Sequence, residues 1–242
     1  DPGSAESLAD ALSGCSAAVL LSIEEERAET IVARATAFAE AARHARVRRV
    51  VMISDVAVYG PNPGKPWDEA SPLPRHDPGS RAAALSAAES VLLETCVRNH
   101  PVPCVLRAGW LYGARVPDFA ALASEITAPK ADPDGKNAAR HGLHIDNLVA
   151  AVRAALSAKT GDQRIFSITD TGTITRDEFR RAVAAALGVS RADGTSELPA
   201  KRKTTPWNTP TSRAERLLGY RPEVDLEEAI RRSCAWWKFT RE

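Results

Sequence analysis

The sequence lacks several features that would assign it to other classes of protein. Its 242 residues carry a net charge of only +1, which gives no field for nucleic acid or an anionic membrane. No apolar run approaches the ~20 residues of a membrane span, and no signal peptide opens the chain. We therefore predict a cytoplasmic protein with no nucleic-acid or membrane partner.

Close pairs of metal-binding or redox residues are also missing. The four cysteines (Cys15, Cys96, Cys104 and Cys234) lie far apart with no Cys-x-x-Cys pair, so we interpret them as buried, reduced thiols. Four histidines show no metal-ligand spacing and are assigned to the solvated surface: His44, His76, His100 and His141. The sequence predicts no metal site.

The chain is organised around an apolar run at residues 50–53 that is rich in β-branched residues, which predicts a strand buried on both faces. A second buried strand is predicted at residues 15–21, and the pattern at 29–45 predicts a helix between the two. Strand, helix and strand in this order indicate a parallel α/β sheet. The central strand ends in Ser54-Asp55, and ligands bind outside the carboxyl ends of such strands.

Residues 51–60, Val-Met-Ile-Ser-Asp-Val-Ala-Val-Tyr-Gly, resemble the extended short-chain dehydrogenase/reductase family, also called the NAD-dependent epimerase/dehydratase family. Members place Ser-Ser or Ser-Thr and then Val-Tyr-Gly after a hydrophobic strand. Later stretches resemble further family motifs in the same order: residues 103–113 (Leu-Arg-Pro/Ala-Gly-x-x-Tyr-Gly), 144–151 (His-Val-Asp-Asp-x-Ala-x-Ala) and 218–222 (Leu-Gly-Tyr-x-Pro).

The resemblance implies a Rossmann-type parallel sheet with a smaller C-terminal substrate lobe. It places the core at residues 1–112, with 143–170 contributing, and most of the substrate lobe at 113–242. The family's first βαβ unit, with its glycine-rich phosphate-binding turn, has no counterpart in the sequence. We expect either a longer protein that supplies this unit upstream or a chain that has lost the cradle. The first is favoured, because a sheet without its central strand has an open edge.

The implied cofactor is NADP or NAD, with NADPH favoured. The resemblance assigns cofactor contacts to strand ends: Leu21, Ser22, Ile53, Ser54, Arg107, Ala108, Gly109 and Trp110. Small side chains at Ala108 and Gly109 would let the backbone pass close to the nicotinamide. Substrate contacts are assigned to Tyr59, Tyr112 and His144, although Tyr112 is also interpretable as packing and His144 as ordering its loop. Asp146 is predicted to cap the helix that follows it.

The family's catalytic Ser-Tyr-Lys set is replaced. Aligned on Glu89, its three positions fall on Asp55, Arg81 and Leu85, and no tyrosine lies between Tyr59 and Tyr112. Leucine cannot perform either role of the lysine. An arginine donates hydrogen bonds but stays protonated, and an aspartate helps an oxyanion only when protonated or as a base. We predict Asp55 and Arg81 as the catalytic pair; the alternative is an ion pair between them that closes the site.

We therefore expect an atypical NAD(P)H-dependent oxidoreductase, a ketoreductase acting on a small-molecule or natural-product ketone. Antibiotic-pathway ketoreductases of the simocyclinone type also lack the usual triad, and this sequence is similar in that respect. The alternative is a non-catalytic nucleotide-binding sensor or scaffold. The oligomeric state stays open; family members often dimerise through the helices predicted at residues 29–45 and 81–99, so a homodimer would use that surface.

Overall fold

The computed structural model describes residues 5–21, 27–60, 67–96, 101–127, 139–158, 164–170, 174–189 and 211–241. Its main element is a parallel four-stranded sheet in the order β1-β2-β3-β7. These strands are β1 (Ala17–Leu21), β2 (Arg49–Asp55), β3 (Val102–Ala108) and β7 (Ile165–Ile168). The predicted α/β fold with a Rossmann-type parallel sheet is confirmed.

Two short strand pairs and eight helices make up the rest of the described regular structure. The first pair is parallel, β4 (Trp110–Tyr112) with β6 (Gly142–His144), and the second is antiparallel, β5 (Ala139–Arg140) with β8 (Ile174–Thr175). The helices are α1 (Ala5–Leu12), α2 (Ala28–His44), α3 (Arg81–Thr95), α4 (Pro117–Thr127), α5 (Ile145–Ser157), α6 (Arg176–Leu187), α7 (Ser212–Leu218) and α8 (Leu226–Phe239). A 3-10 turn, Val56–Tyr59, follows β2 directly.

Side-chain alternation along the strands gives the sheet two apolar faces. On one face Val50, Met52 and Val105 pack against α2 and α3. On the other face Val51, Ile53 and neighbouring side chains of β3 pack against α5 and α7. The interpretation of residues 50–53 as a strand buried on both faces is confirmed, since every one of them is buried.

A third apolar cluster lies away from the sheet. It joins α4, α6 and α8 around Phe119, Phe179 and Trp237, and Tyr112 of β4 contributes to it. Apart from Tyr112 and Trp110, this cluster lies within residues 113–242, the region predicted as mainly the substrate lobe. Helix α7 also lies within residues 113–242, but it packs on the face of the sheet. The predicted boundary between core and substrate lobe therefore stays a prediction.

Three predictions about exposure were wrong. Strand β1 is buried on one face only: Leu21 is 56% exposed and Val19 is also exposed, because no helix in the described parts of the chain covers that side. Cys15 is exposed, whereas the other three cysteines are buried as predicted. His141 is buried rather than solvated, because it lies between the ends of the short strands β5 and β6.

Candidate functional site

A row of buried polar residues crosses the sheet near the carboxyl ends of its strands. Ser54 of β2 pairs in register with Arg107 of β3, and Arg107 pairs with Ser167 of β7. All three are buried, and alternation places them on the face that packs against α3. We call Ser54, Arg107 and Ser167 the polar row. The residues two positions earlier in each strand are apolar, so this face of the sheet changes from apolar to polar side chains at the polar row.

Glu89 of α3 pairs with the polar row. Its carboxylate accepts hydrogen bonds from Arg107 Nη2 at 2.7 Å and from Arg107 Nε at 3.2 Å, and from the Ser54 hydroxyl at 2.5 Å. Both side chains of the ion pair are 3% exposed. Burial alone would lower the pKa of Arg107, but the hydrogen bond and the charge of Glu89 raise it. Arg107 is therefore held as a cation, with the Glu89 carboxylate as its counter-charge.

Tyr59 also contacts the polar row. Its ring lies 4.8 Å from the Arg107 guanidinium carbon, and its hydroxyl is 2.8 Å from the Ser167 hydroxyl. Burial raises the pKa of Tyr59, against the opposing effect of the Arg107 charge. The ring stacks on Trp67 at a centroid distance of 5.9 Å, and Glu69 accepts from the backbone N–H of Ser167 at 2.8 Å. Trp67 and Glu69 thus lie over the row.

The predicted catalytic pair lies close to the same strand end. Asp55 is the last residue of β2, and its carboxylate accepts from the backbone N–H of Ala57 at 2.7 Å. Arg81 is the first residue of α3 and is partly exposed. Leu85, one turn later, is fully buried in the apolar core between α3 and the sheet. No basic side chain therefore occupies the lysine position, and the roles of Asp55 and Arg81 stay predictions.

The predicted cofactor residues lie at neighbouring strand ends but differ in exposure. Leu21 is exposed at the end of β1, whereas Ile53 and Ala108 are buried and Trp110 is half-buried. Ser22 lies outside the described residues. A Cβ on Gly109 would lie 2.5 Å from the backbone oxygen of His141. A contact within the chain therefore already requires this glycine, and its approach to a nicotinamide stays a prediction.

A second buried polar cluster surrounds Asp170, just beyond the end of β7. Its carboxylate accepts from the Tyr112 hydroxyl at 2.6 Å, from the His144 backbone N–H at 3.0 Å and from the Asn147 side-chain amide at 2.7 Å. Burial raises the pKa of Asp170, and the Tyr112 hydrogen bond opposes that effect. The predicted substrate residues Tyr112 and His144 thus have internal partners, and their role toward a substrate stays a prediction.

The prediction that Asp146 caps α5 was wrong. His144 is the N-cap residue, and its Nδ1 accepts from the Asp146 backbone N–H at 3.3 Å. The other ring nitrogen, Nε2, lies 3.2 Å from the Ser233 hydroxyl of α8. Since Nδ1 accepts, the proton is on Nε2 and the ring is neutral, in agreement with a pKa that burial lowers. The loop-ordering role that was considered for His144 agrees with this geometry.

Sequence reasoning missed Ser167, Asp170 and Asn147 as members of these clusters. Asn147 had a usable signal, because the family pattern places an acidic residue there and an amide was present instead. Glu89 had served only to align α3, although the family pattern marks it. Ser167 carries no sequence signal, because its place depends on the register of β7 against β3.

No group of three or more His, Cys, Asp or Glu side chains in the described ranges is arranged to hold a metal ion. Among the helices that the structure describes, none is long and apolar enough to cross a membrane.

The sheet and its strand-end site define a Rossmann-type nucleotide-binding protein, and comparison with known proteins agrees. A family model described as NAD(P)H-binding matches residues 1–101. UDP-glucose 4-epimerase of Mycolicibacterium smegmatis is 31% identical over 217 residues, which cover 83% of this chain and 66% of the relative. dTDP-glucose 4,6-dehydratase of Streptomyces griseus is 28% identical over 206 residues, with 81% and 60% covered.

Solved structures share the fold. UDP-glucose 4-epimerase of Thermotoga maritima, crystallised with UDP-glucose, matches with a TM-score of 0.81 and 19% identity, covering 100% of this chain and 84% of that one. A dTDP-glucose 4,6-dehydratase double mutant from Streptomyces venezuelae, crystallised with NAD, matches with a TM-score of 0.79 and 24% identity, covering 100% and 79%.

The chain has homologues in the NAD-dependent epimerase/dehydratase family of short-chain dehydrogenases/reductases, and its residues 1–101 match the NAD(P)H-binding family model. It spans 60% and 66% of the length of the two curated relatives, less than two thirds of each. NAD(P) is the cofactor of the family. The residues present fit part of a dinucleotide site: they supply the carboxyl ends of β1 and β2, but the sequence contains no glycine-rich turn for the pyrophosphate.

Proposed function

We propose that the protein is an NAD(P)H-dependent ketoreductase that reduces the ketone of a small molecule or natural product. The observation that carries the proposal is the pair of positions on α3: Leu85 is fully buried in the apolar core, and Arg81 is partly exposed one turn earlier. A guanidinium donates hydrogen bonds but does not take up a proton near neutral pH. Arg81 can therefore stabilise negative charge on a substrate oxygen, but it cannot act as a base at the tyrosine position.

This composition favours reduction over the reactions of the relatives. Epimerisation and dehydration both need a working base at the tyrosine position, which is Arg81 in this chain. Ketone reduction needs the cofactor and the substrate held face to face, and then a donor at the carbonyl oxygen. Bound NAD(P)H supplies the hydride. Arg81 would donate to the carbonyl oxygen, and Asp55 would hold Arg81 in position.

The names of the relatives guide the choice of substrates. They are a dTDP-glucose dehydratase and a UDP-glucose epimerase, so keto forms of nucleotide sugars belong in a test panel beside aromatic and aliphatic ketones. NADPH is the favoured cofactor. A homodimer through α2 and α3 and a cytoplasmic location stay predictions.

A non-catalytic NAD(P)-binding sensor or scaffold is the second candidate. It is favoured by the burial of Tyr59, Tyr112 and His144, whose polar atoms all have partners within the chain. On this alternative the protein would bind a nucleotide and turn over no ketone.

Calorimetric titration with NADPH and then NADH, followed by a ketone panel, separates the two candidates. We expect cofactor binding and turnover, with a loss of about 100-fold to 1,000-fold in kcat in a variant that combines Arg81→Ala and Asp55→Ala. The exposed residues Arg75 and Asp77 lie in the segment that precedes α3, so Arg75→Ala with Asp77→Ala is the matched control and should keep full activity.

Turnover that survives the combined Arg81 and Asp55 substitutions would show that neither side chain performs the oxygen chemistry. Binding of NADPH or NADH without turnover of any ketone would favour the sensor or scaffold. A folded protein that binds neither cofactor would refute the reductase.

A further inference from the structure

The polar row and the side chains around it hold more hydrogen-bond donors than acceptors. Arg107 Nη1 is buried and has no hydrogen-bond partner among the described residues. The hydroxyls of Tyr59 and Ser167 bond to each other, which uses one of their two protons. The second hydroxyl proton has no acceptor in the parts of the chain that the structure describes. Buried donors are seldom left unpaired, so the excess indicates a missing acceptor.

Glu89 cannot be that acceptor, because its carboxylate already receives Ser54 and the Nε and Nη2 groups of Arg107. In a side-on pair through Nε and Nη2, Nη1 lies in the same plane on the edge of the guanidinium that faces away from the carboxylate. The free N–H groups are therefore available to a third partner without breaking the ion pair.

The absence of net charge on the Glu89–Arg107 ion pair indicates which kind of acceptor fits the polar row. Glu89 already neutralises the charge of Arg107. A phosphate bound here would therefore bring negative charge that Arg107 does not offset. A carbonyl or carboxamide oxygen has two lone pairs and no net charge, and it matches several donors around a neutral ion pair.

We infer that the polar row binds the neutral carbonyl or carboxamide oxygen of a ligand through Arg107 Nη1 and the spare hydroxyl proton of the Tyr59 and Ser167 pair. The inference deepens the proposed function and in that respect rests on it, because a ketone substrate and a nicotinamide carboxamide both present such an oxygen. Trp67 and Glu69 cover the row from a segment without helix or strand, so a ligand reaches it by displacing side chains rather than a strand.

Nuclear magnetic resonance of protein labelled with 15N-arginine tests the inference directly. The Nη resonances of Arg107, assigned by their loss in Arg107→Lys, are followed while nicotinamide and, separately, cyclohexanone are added. We expect one of the two probes to shift the Nη1 resonances in a saturable manner. Tyr59→Phe combined with Ser167→Ala keeps the ring and the ion pair but removes both hydroxyl protons, and it should weaken binding of that probe roughly 2-fold to 10-fold.

Arg213→Lys is the matched control. Its guanidinium lies over the Phe166 ring, in the cluster on the other face of the sheet, so the substitution should leave probe binding unchanged. A shift with nicotinamide alone identifies the cofactor carboxamide as the source of the oxygen, and a shift with cyclohexanone alone identifies the substrate ketone.

A shift with neither probe would overturn the inference, and so would tighter binding of inorganic phosphate than of both probes. An unchanged affinity in the variant that combines Tyr59→Phe and Ser167→Ala would also overturn it. Failure of NADPH and NADH to bind, together with a clear shift by one probe, would refute the reductase and leave the oxygen site standing.

Discussion

Removal of the Glu89 carboxylate tests the energetic weight of the buried ion pair. In Glu89→Ala the Arg107 guanidinium stays in a site that is 3% exposed, with its counter-charge gone, and the Ser54 hydroxyl loses its acceptor. Breaking a buried pair by deleting one partner costs about 3–5 kcal/mol, because an uncompensated charge is left inside. A domain of ordinary stability has about 5–15 kcal/mol in total. We therefore expect a folded but severely destabilised protein.

Urea unfolding followed by far-ultraviolet circular dichroism measures the loss, with the slope of the transition checked for constancy. Glu94→Ala is the matched control, because Glu94 is exposed on the same helix and makes the same change in helix propensity. We expect it to stay within about 0.5 kcal/mol of the unsubstituted protein.

Replacing both Glu89 and Arg107 separates the cost of an unpaired buried charge from the cost of lost side-chain packing. Glu89→Leu combined with Arg107→Met removes both charges and retains most of the side-chain volume, so it should cost less than Glu89→Ala alone. A loss below about 1 kcal/mol in Glu89→Ala would refute our reasoning. A double variant less stable than Glu89→Ala would do so too.

Two further predictions concern the junction of Gly109 and His141. Gly109→Ala places a Cβ 2.5 Å from the His141 backbone oxygen, so the protein should lose most of its folded yield, as measured by soluble expression and thermal melting; an unchanged melting temperature would contradict the contact. Burial lowers the pKa of His141 from 6.5 to about 4, so the unfolded chain takes up this proton first as the pH falls. The free energy of unfolding is not reduced by His141 above about pH 6.5, and it falls by about 3 kcal/mol as the pH drops toward 4. His141→Gln should flatten that part of the pH profile in urea unfolding, and an unaltered profile would show that another group titrates there.

The sheet was predictable because the residues that form it carry their own signal. Residues 50–53 are apolar and three of the four are β-branched, which is typical of a strand that is covered on both sides. The end of this strand, at Ser54 and Asp55, was therefore located correctly as the edge where the polar row forms.

The partners within the site were less predictable, because they depend on contacts between distant segments. Arg107 was assigned to the cofactor from its motif, yet its nearest charged partner is Glu89, on a helix that precedes its strand. Ser167 joins the row only through the register of β7 against β3. The N-cap of α5 was misassigned by two residues, since an aspartate is the commoner cap and only the fold shows that the His144 ring reaches the Asp146 N–H.

The side chain of Asn147 ties α5 to the turn that precedes α8. Its amide donates to Asp170 and to the Val224 carbonyl, and its oxygen accepts from the backbone N–H groups of Glu223 and Val224. All four hydrogen-bonding positions of one buried amide are filled. The turn before α8 is thus held by a residue of α5, so its amide hydrogens are released to solvent only when the two segments separate. We therefore expect the amide hydrogens of Glu223 and Val224 to exchange through a cooperative opening of the two segments and not through local fraying.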